Sequence, residues 1–172
     1  MIQDYKKKKI SELNLSNTNW NKEHLVLLTE YYKKHPFFLE IFPYLEKFFN
    51  QPYSNLNEVL YHSMKLTFKL LKIETELIKM SNLNYDNSKT RGDLVIELIL
   101  RTEFNKYLSG KGAKEYMDMD EFKKNEISVE FQEFNHPRYN QRGVSDFIPG
   151  LSVLDLLFNE GIEKSREIFH SI

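Results

Sequence analysis

The sequence contains no cysteine. This absence excludes disulfide bonds, thiolate nucleophiles and every zinc or iron–sulfur site that depends on cysteine ligands. A chain without cysteine suits a reducing compartment, and we predict a cytoplasmic protein. Any nucleophile or general base in this chain must therefore be an oxygen or nitrogen group.

Long hydrophobic runs are also missing. No stretch of about 18 apolar residues occurs, as a membrane-spanning helix would require. The lysines of the N-terminal segment "MIQDYKKKKISELNLS" are not followed by the apolar stretch of a secretory signal. We expect no membrane insertion, and we predict that residues 1–9 form a flexible, solvated tail.

Charge of neither sign is in excess. Lysine and arginine number 24 against 25 aspartate and glutamate residues, which gives a net charge of −1. Such a balance provides no long-range attraction to nucleic acid or to an anionic membrane. A partner of that kind would have to bind a local patch, so we expect no nucleic-acid partner.

Apolar residues are plentiful, and their helical spacing dominates the first half of the chain. Of the 172 residues, 41% are hydrophobic and 14% are aromatic, enough for one domain with a substantial core. The spacing predicts a helix that stops at His35-Pro36, a second that Pro43 should kink or divide, and a third that runs to about Leu71.

The apolar period changes in the second half. "ETELIKMS", "KYLS" and "ISVEFQEF" read as three short strands, and helical segments lie between them. We therefore predict an α/β protein: a helical N-terminal half, then a β-α-β-α-β parallel sheet and C-terminal helices, all within a single domain over residues 1–172. Ser152 and Asp155 form a capping-box pattern ahead of a C-terminal helix that Gly161 can stop.

The loop "SGKGAK" follows the second predicted strand and opens a helical segment. Backbone N–H groups near Gly110 and Gly112 could hold a phosphate or carboxylate, with charge added by Lys114, and ligands of parallel sheets favour this end of a strand. The loop lacks the Walker spacing and the full dinucleotide fingerprint. A glycine turn that only connects a strand to a helix is the alternative.

The segment "NHPRYNQR" holds the polar residues that follow the third predicted strand. His136, neutral near pH 7, could accept a proton, and Tyr139 or Gln141 could orient a substrate whose carboxylate or phosphate Arg138 or Arg142 binds. These residue types together favour an acyl- or group-transfer site. The alternative is a solvated connection, because His-Pro is common in turns.

Other chemistries find no support in the sequence. The histidines do not show the spacing of a metal site, so we predict no metal and no cofactor. A serine nucleophile is also not expected, because the sequence has no Gly-x-Ser-x-Gly elbow, and helix capping accounts for Ser152 and Asp155.

Several blocks resemble a known family. "YLSGKGAKEYM", "ISVEFQEFNHPRYNQ" and "DFIPGLSVLDLLFNEG" are similar, in order and spacing, to the C-terminal half of the WbqC-like proteins of bacterial O-antigen and surface-polysaccharide gene clusters. Upstream, "NTNWNKEHLVLLTEYYKKHPFF" resembles the family's Trp-x-x-x-His helix, and "LKIETELIKMS" resembles its middle strand. The matching positions near possible sites are Ser109, Gly110, Gly112, Tyr116, Tyr139, Gln141, Ser152, Asp155 and Gly161.

The resemblance implies a transferase that adds an amino acid such as glycine to a nucleotide- or lipid-linked amino sugar, with an activated amino acid as donor. Nothing in the chain matches the family's Gln-Pro-x-Tyr-Leu-Pro-Trp-like segment, so an N-terminally shortened domain is expected. A second interpretation is a non-catalytic binding or partner domain that self-associates, or binds a partner chain, where the lost segment would pack.

Overall fold

Six α-helices and two β-strands are present in the part of the chain that the computed structural model describes, residues 8–15, 19–115 and 117–172. They belong to two compact units. The first unit contains the described residues before Thr75 together with His136–Ile172, and the second is Thr75–Asn135. The predicted mixed α/β class, with helices at both ends, is confirmed. Residues 1–7 of the predicted tail and Tyr116 lie outside the described part.

Four helices build the first unit: α1 (Trp20–Tyr32), α2 (Phe38–Phe49), α3 (Leu56–Leu71) and α6 (Val153–His170). Helix α2 packs against α1, α3 and α6, and α3 also packs against α6. Each contributes an apolar stripe at helical spacing to one core. Its buried members are Ile41, Leu45, Phe49, Leu70, Leu71, Leu157, Phe158 and Ile162.

Helix α2 continues through Pro43, so of the two predicted effects of this proline, a kink or a division, division does not occur. Proline cannot donate to the carbonyl four residues earlier, which belongs to Leu39. Leu39 is 86% exposed. Water can therefore hydrogen-bond the carbonyl that Pro43 leaves unpaired.

Gly161 interrupts α6, as predicted, with φ 75° and ψ 175°. A Cβ built at this position would lie 2.6 Å from Cδ1 of Phe37 and 2.9 Å from Oε2 of Glu40. Both the positive φ and this close approach of α2 require glycine. Just beyond the break, the N–H of Ile162 donates to Glu40 at 3.4 Å, and α6 resumes.

The second unit consists of α4 (Arg91–Ile99), β1 (Lys106–Ser109), α5 (Met119–Lys124) and β2 (Ser128–Phe131). The two strands pair in parallel, and the register aligns Lys106 with Ser128 and Ser109 with Phe131. The parallel prediction is thus confirmed for these strands. The core of this unit contains Ile96, Ala113, Met117, Phe122 and Ile127.

The first predicted strand, over residues 75–80, is wrong. Residues 75–79 form no strand, and a short 3-10 helix follows at Met80–Asn82. Lys79 has extended backbone angles, φ −73° and ψ 125°. Only β1 and β2 hydrogen-bond as a sheet in the described residues, and an extended segment without a partner strand is not a β-strand.

Candidate functional site

A buried carboxylate lies at the start of α6. Ser152 caps this helix, because its Oγ accepts a hydrogen bond from the N–H of Leu154 at 3.3 Å. Asp155, only 7% exposed, was expected to complete the cap. Its carboxylate instead accepts hydrogen bonds from side chains far along the chain, so the predicted capping role of Asp155 is wrong.

Three side chains donate to Asp155. The Tyr139 hydroxyl donates to Oδ2 at 2.8 Å, Nε2 of Gln141 donates to Oδ2 at 3.3 Å, and the Tyr32 hydroxyl donates to Oδ1 at 3.4 Å. A buried charge requires such compensation, because an unpaired carboxylate away from water is strongly disfavoured. We call these four residues the Asp155 network.

Gln141 also fixes the loop that carries Tyr139. Its Nε2 donates to the carbonyl of Ile148 at 2.9 Å, and its Oε1 accepts the N–H of the same residue at 2.7 Å. Tyr139 packs edge-to-face on Phe147, with ring centroids 5.3 Å apart. The two hydrogen bonds between Gln141 and Ile148 therefore close the loop over residues 139–148, and the ring contact with Phe147 fixes the position of Tyr139.

Helix α6 holds the backbone of the same loop. Oδ1 of Asn159 accepts the N–H of Arg142 at 2.8 Å, and the Nδ2 group of Asn159 donates to the carbonyl of Asp155 at 2.8 Å. The next residue, Glu160, accepts the N–H of Asn140 at 2.9 Å. The segment "LLFNEG" of α6 therefore has two roles: it forms part of the helix, and its Asn159 and Glu160 side chains hold the backbone of "RYNQR" in place.

The end of α1 brings an imidazole to the network. The Tyr32 ring stacks on Phe158 with centroids 4.4 Å apart, and the His35 ring lies 4.8 Å from that of Tyr32. The Nδ1 atom of His35 is buried and has no hydrogen-bond partner among the described residues.

Burial shifts the pKa values of these groups in the direction that favours their neutral forms. Burial, with a smaller contribution from Asp155, raises the pKa of Tyr139 to about 12, although the Gln141 hydrogen bond opposes the shift. Burial and Asp155 also raise the pKa of Tyr32. Burial lowers the pKa of His35, assisted by Arg142 and opposed by Asp155. Two phenols that donate hydrogen bonds and one uncharged imidazole thus surround the carboxylate.

The remaining predicted residues of this loop are exposed. Arg138 places its guanidinium 5.5 Å from the centre of the Phe147 ring, a cation–π contact. His136 and Arg142 are exposed, and the imidazole Nε2 of His136 lies 4.0 Å from where a Cβ of Gly150 would stand. All five predicted residues of "HPRYNQR" therefore belong to the first unit: His136, Arg138, Tyr139, Gln141 and Arg142. Two of them are hydrogen-bonded to each other, since Nε2 of Gln141 donates to the hydroxyl of Tyr139 at 3.3 Å.

The loop over residues 109–114 lies in the second unit. Ser109 is 2% exposed, and its hydroxyl contacts Sδ of Met117 at 3.7 Å, so it lies inside that unit's core. Gly110 and Gly112 are exposed, and a Cβ at either would meet no described atom within 4 Å. Lys114 lies over the Phe131 ring at 5.9 Å. Binding by this loop stays a prediction.

Sequence reasoning missed Tyr32 and His35 and assigned Asp155 only a structural role. The contact between Tyr32 and Asp155 spans 123 residues, so no local pattern reveals it. One signal was available: Asp155 stands among the apolar residues of "VLDLLF", where a carboxylate would be buried and need partners.

Residues 8–15, 19–115 and 117–172 contain neither a candidate metal site nor a membrane-spanning helix. No cluster of three or more histidine, aspartate or glutamate side chains suited to a metal ion is present there. None of the helices described is both long and apolar enough to cross a membrane.

Comparison with known proteins gives one relative and one family. The chain is 27% identical, over 156 residues, to "Uncharacterized protein Rv1507c" of Mycobacterium tuberculosis, and the aligned part spans 90% of this chain and 67% of that protein. No solved structure shows significant similarity to the chain. The family model described as "WbqC-like protein family" matches residues 1–167, across both units, and the chain therefore belongs to the WbqC-like protein family.

Proposed function

We propose that the chain is a surface-polysaccharide transferase that joins the carboxyl group of an amino acid such as glycine to the amine of a nucleotide- or lipid-linked amino sugar. The observation that carries the proposal is the Asp155 network, a buried carboxylate that orients Tyr139 and Gln141 on the loop of His136, Arg138 and Arg142. Both units together form one WbqC-like domain in this proposal.

The reaction needs few groups. The sugar amine attacks the carboxyl carbon of an activated amino acid, an ester or mixed anhydride. A carbon–nitrogen bond forms, the bond to the leaving oxygen breaks, and that oxygen departs with the electron pair. The proton that the nitrogen loses passes to His136, the proposed general base.

Tyr139 positions the acceptor in this proposal. Its hydroxyl donates to Asp155 and accepts from Gln141, and a phenol oxygen has a second lone pair for a substrate N–H or O–H. Because its pKa is about 12, the phenol is neutral at pH 7 and is not itself the base. Arg138 and Arg142 bind the phosphates of the sugar carrier. The amides near Gly110 and Gly112, with Lys114, are proposed as a further anion-binding loop, whereas the hydroxyl of Ser109 is buried against Met117 and does not contact the anion.

The test combines ligand binding and turnover. A uridine-diphosphate amino sugar should raise the melting temperature of the wild-type chain, and an activated glycine ester should then yield an amide product detectable by mass spectrometry. His136→Ala should abolish turnover and retain the thermal protection. His62→Ala, at an exposed position of α3, is the matched control and should leave both unchanged. Undiminished turnover of His136→Ala would remove His136 as the base.

A second candidate function, a binding or partner domain, is favoured by exposed apolar side chains. Leu27 and Tyr31 lie one turn apart on the same face of α1 and are 49% and 73% exposed, respectively. Sedimentation velocity tests this function. It predicts self-association that Tyr31→Lys weakens, whereas a monomer at all concentrations would contradict self-association.

A further inference from the structure

The first unit contains a cleft at the beginning of α1. Its lining residues in the described part of the chain are Asn14, Leu15, Trp20, Asn21, Gln51, Pro52, Tyr53 and Ser54, and they border a volume of about 370 Å³ that is open to solvent. This volume lies within the usual range for small-molecule sites, roughly 300–1,000 Å³. We call it the Trp20 cleft.

The Trp20 cleft is separate from the Asp155 network. Trp20 is the first residue of α1 and Tyr32 the last, so twelve steps of the helix separate them, about 18 Å along its axis. A ligand in the cleft would therefore contact none of the residues of the Asp155 network.

The lining combines aromatic rings with neutral polar groups. The ring centroids of Trp20 and Tyr53 lie 6.3 Å apart at 44°, and Trp20 is braced edge-to-face by Phe49 at 5.7 Å. None of the eight lining residues that the structure describes carries a charge at neutral pH. A phosphate or carboxylate would lose water there without gaining an ionic partner, which disfavours anionic ligands.

The amides of the cleft are partly committed to the protein. Nδ2 of Asn21 donates to the carbonyl of Phe49 at 3.2 Å, which fixes the side chain. Oδ1 of Asn21 is buried and accepts no hydrogen bond from the described residues. Because this oxygen is buried, it is closed to a ligand, and the polar side chains that the cleft leaves exposed include those of Gln51 and Ser54.

We propose that the Trp20 cleft binds a neutral saccharide ring. Sugars present an apolar C–H face and a rim of hydroxyl groups, and aromatic rings with amide and hydroxyl side chains match both features. Trp20 or Tyr53 contacts the C–H face, and the exposed side chains of Gln51 and Ser54 hydrogen-bond the hydroxyls. The cleft would therefore bind a sugar at a position separate from the Asp155 network.

Trp20 is the only tryptophan in the sequence, so intrinsic fluorescence excited at the tryptophan band reports on this cleft. Titration of the full chain with N-acetylglucosamine should give a saturable change in emission across the millimolar range. Inorganic phosphate should give no saturable change, and added salt should not weaken the sugar response, because the lining is uncharged.

Two variants make the test specific. Gln51→Ala, at an exposed position, should weaken the saccharide response about tenfold, whereas Gln132→Ala, the same change at an exposed position of the other unit, should leave it unchanged. Asp155→Asn should also retain the response, so that failure here and failure of the transferase proposal are distinguishable. A linear response to the sugar, equal saturation by phosphate, or wild-type affinity in Gln51→Ala would overturn the proposal.

Discussion

Removing one hydroxyl from the Asp155 network should destabilise the protein in proportion to the hydrogen bond that it makes. Tyr139→Phe deletes the 2.8 Å bond to a carboxylate that is 7% exposed. Hydrogen bonds to charged groups contribute about 1.5–3 kcal/mol, and Asp155 retains two other donors, so we expect a loss of about 1.5–2 kcal/mol. For a chain of this length, that loss corresponds to a decrease of about 3–8 °C in melting temperature.

Tyr32→Phe is the matched control, because it also removes one tyrosine hydroxyl that donates to the carboxylate of Asp155. Its hydroxyl lies 3.4 Å from Oδ1, beyond the usual distance for a strong bond, and the expected loss is about 0.5 kcal/mol or less. Urea unfolding followed by the fluorescence of Trp20 measures both losses within the first unit. Equal losses in the two variants, or no loss in Tyr139→Phe, would refute the assignment of Asp155 as the centre of the network.

Three further predictions concern pH and backbone strain. Because the folded pKa of Tyr139 is about 12 against an ordinary 10.0, its contribution to the free energy of unfolding is complete below pH 10 and is lost as the pH rises toward 12. In urea titrations at alkaline pH, Tyr139→Phe should therefore lose less stability than the wild type over this range. Because burial lowers the pKa of His35 below 6.5, the contribution of His35 to the free energy of unfolding is complete above pH 6.5 and is lost as the pH falls through the folded pKa. In urea titrations at acidic pH, His35→Gln should therefore lose less stability than the wild type as the pH falls. Gly161→Ala should lower the free energy of unfolding by about 3 kcal/mol, because of positive-φ strain and the 2.6 Å approach of Phe37. Gly143→Ala has a φ of 85° but no described atom within 4 Å of the new Cβ, so it should lower the free energy of unfolding by only about 1 kcal/mol. Equal losses of thermal stability in the two variants would contradict the role of packing at Gly161.

The helices could be predicted because their signals are local. Apolar spacing and the His35-Pro36 stop mark α1, and Gly161 marks the break in α6 by a conformation that only glycine adopts easily. The strand expected at residues 75–80 failed for a non-local reason. Extended backbone becomes a strand only with a partner, and the sequence does not state which segments pair.

The candidate site was only half predictable. Tyr139 and Gln141 stand in a polar loop after a strand, a pattern that indicates a site. Asp155 fits a local capping pattern, and only the packing of α1 against the first unit's core shows that its carboxylate faces Tyr32 instead. His35 precedes a proline, so its sequence context indicates a turn, whereas its pKa and buried Nδ1 follow from tertiary contacts.

The transferase proposal is tested most directly by product formation. The purified chain is incubated with an activated glycine ester and a uridine-diphosphate amino sugar, and the amide is measured by mass spectrometry for the wild type, His136→Ala and His62→Ala. We expect product with the wild type and His62→Ala and none with His136→Ala. Folded wild-type protein that binds the sugar nucleotide but forms no amide, or equal product from all three, would contradict it.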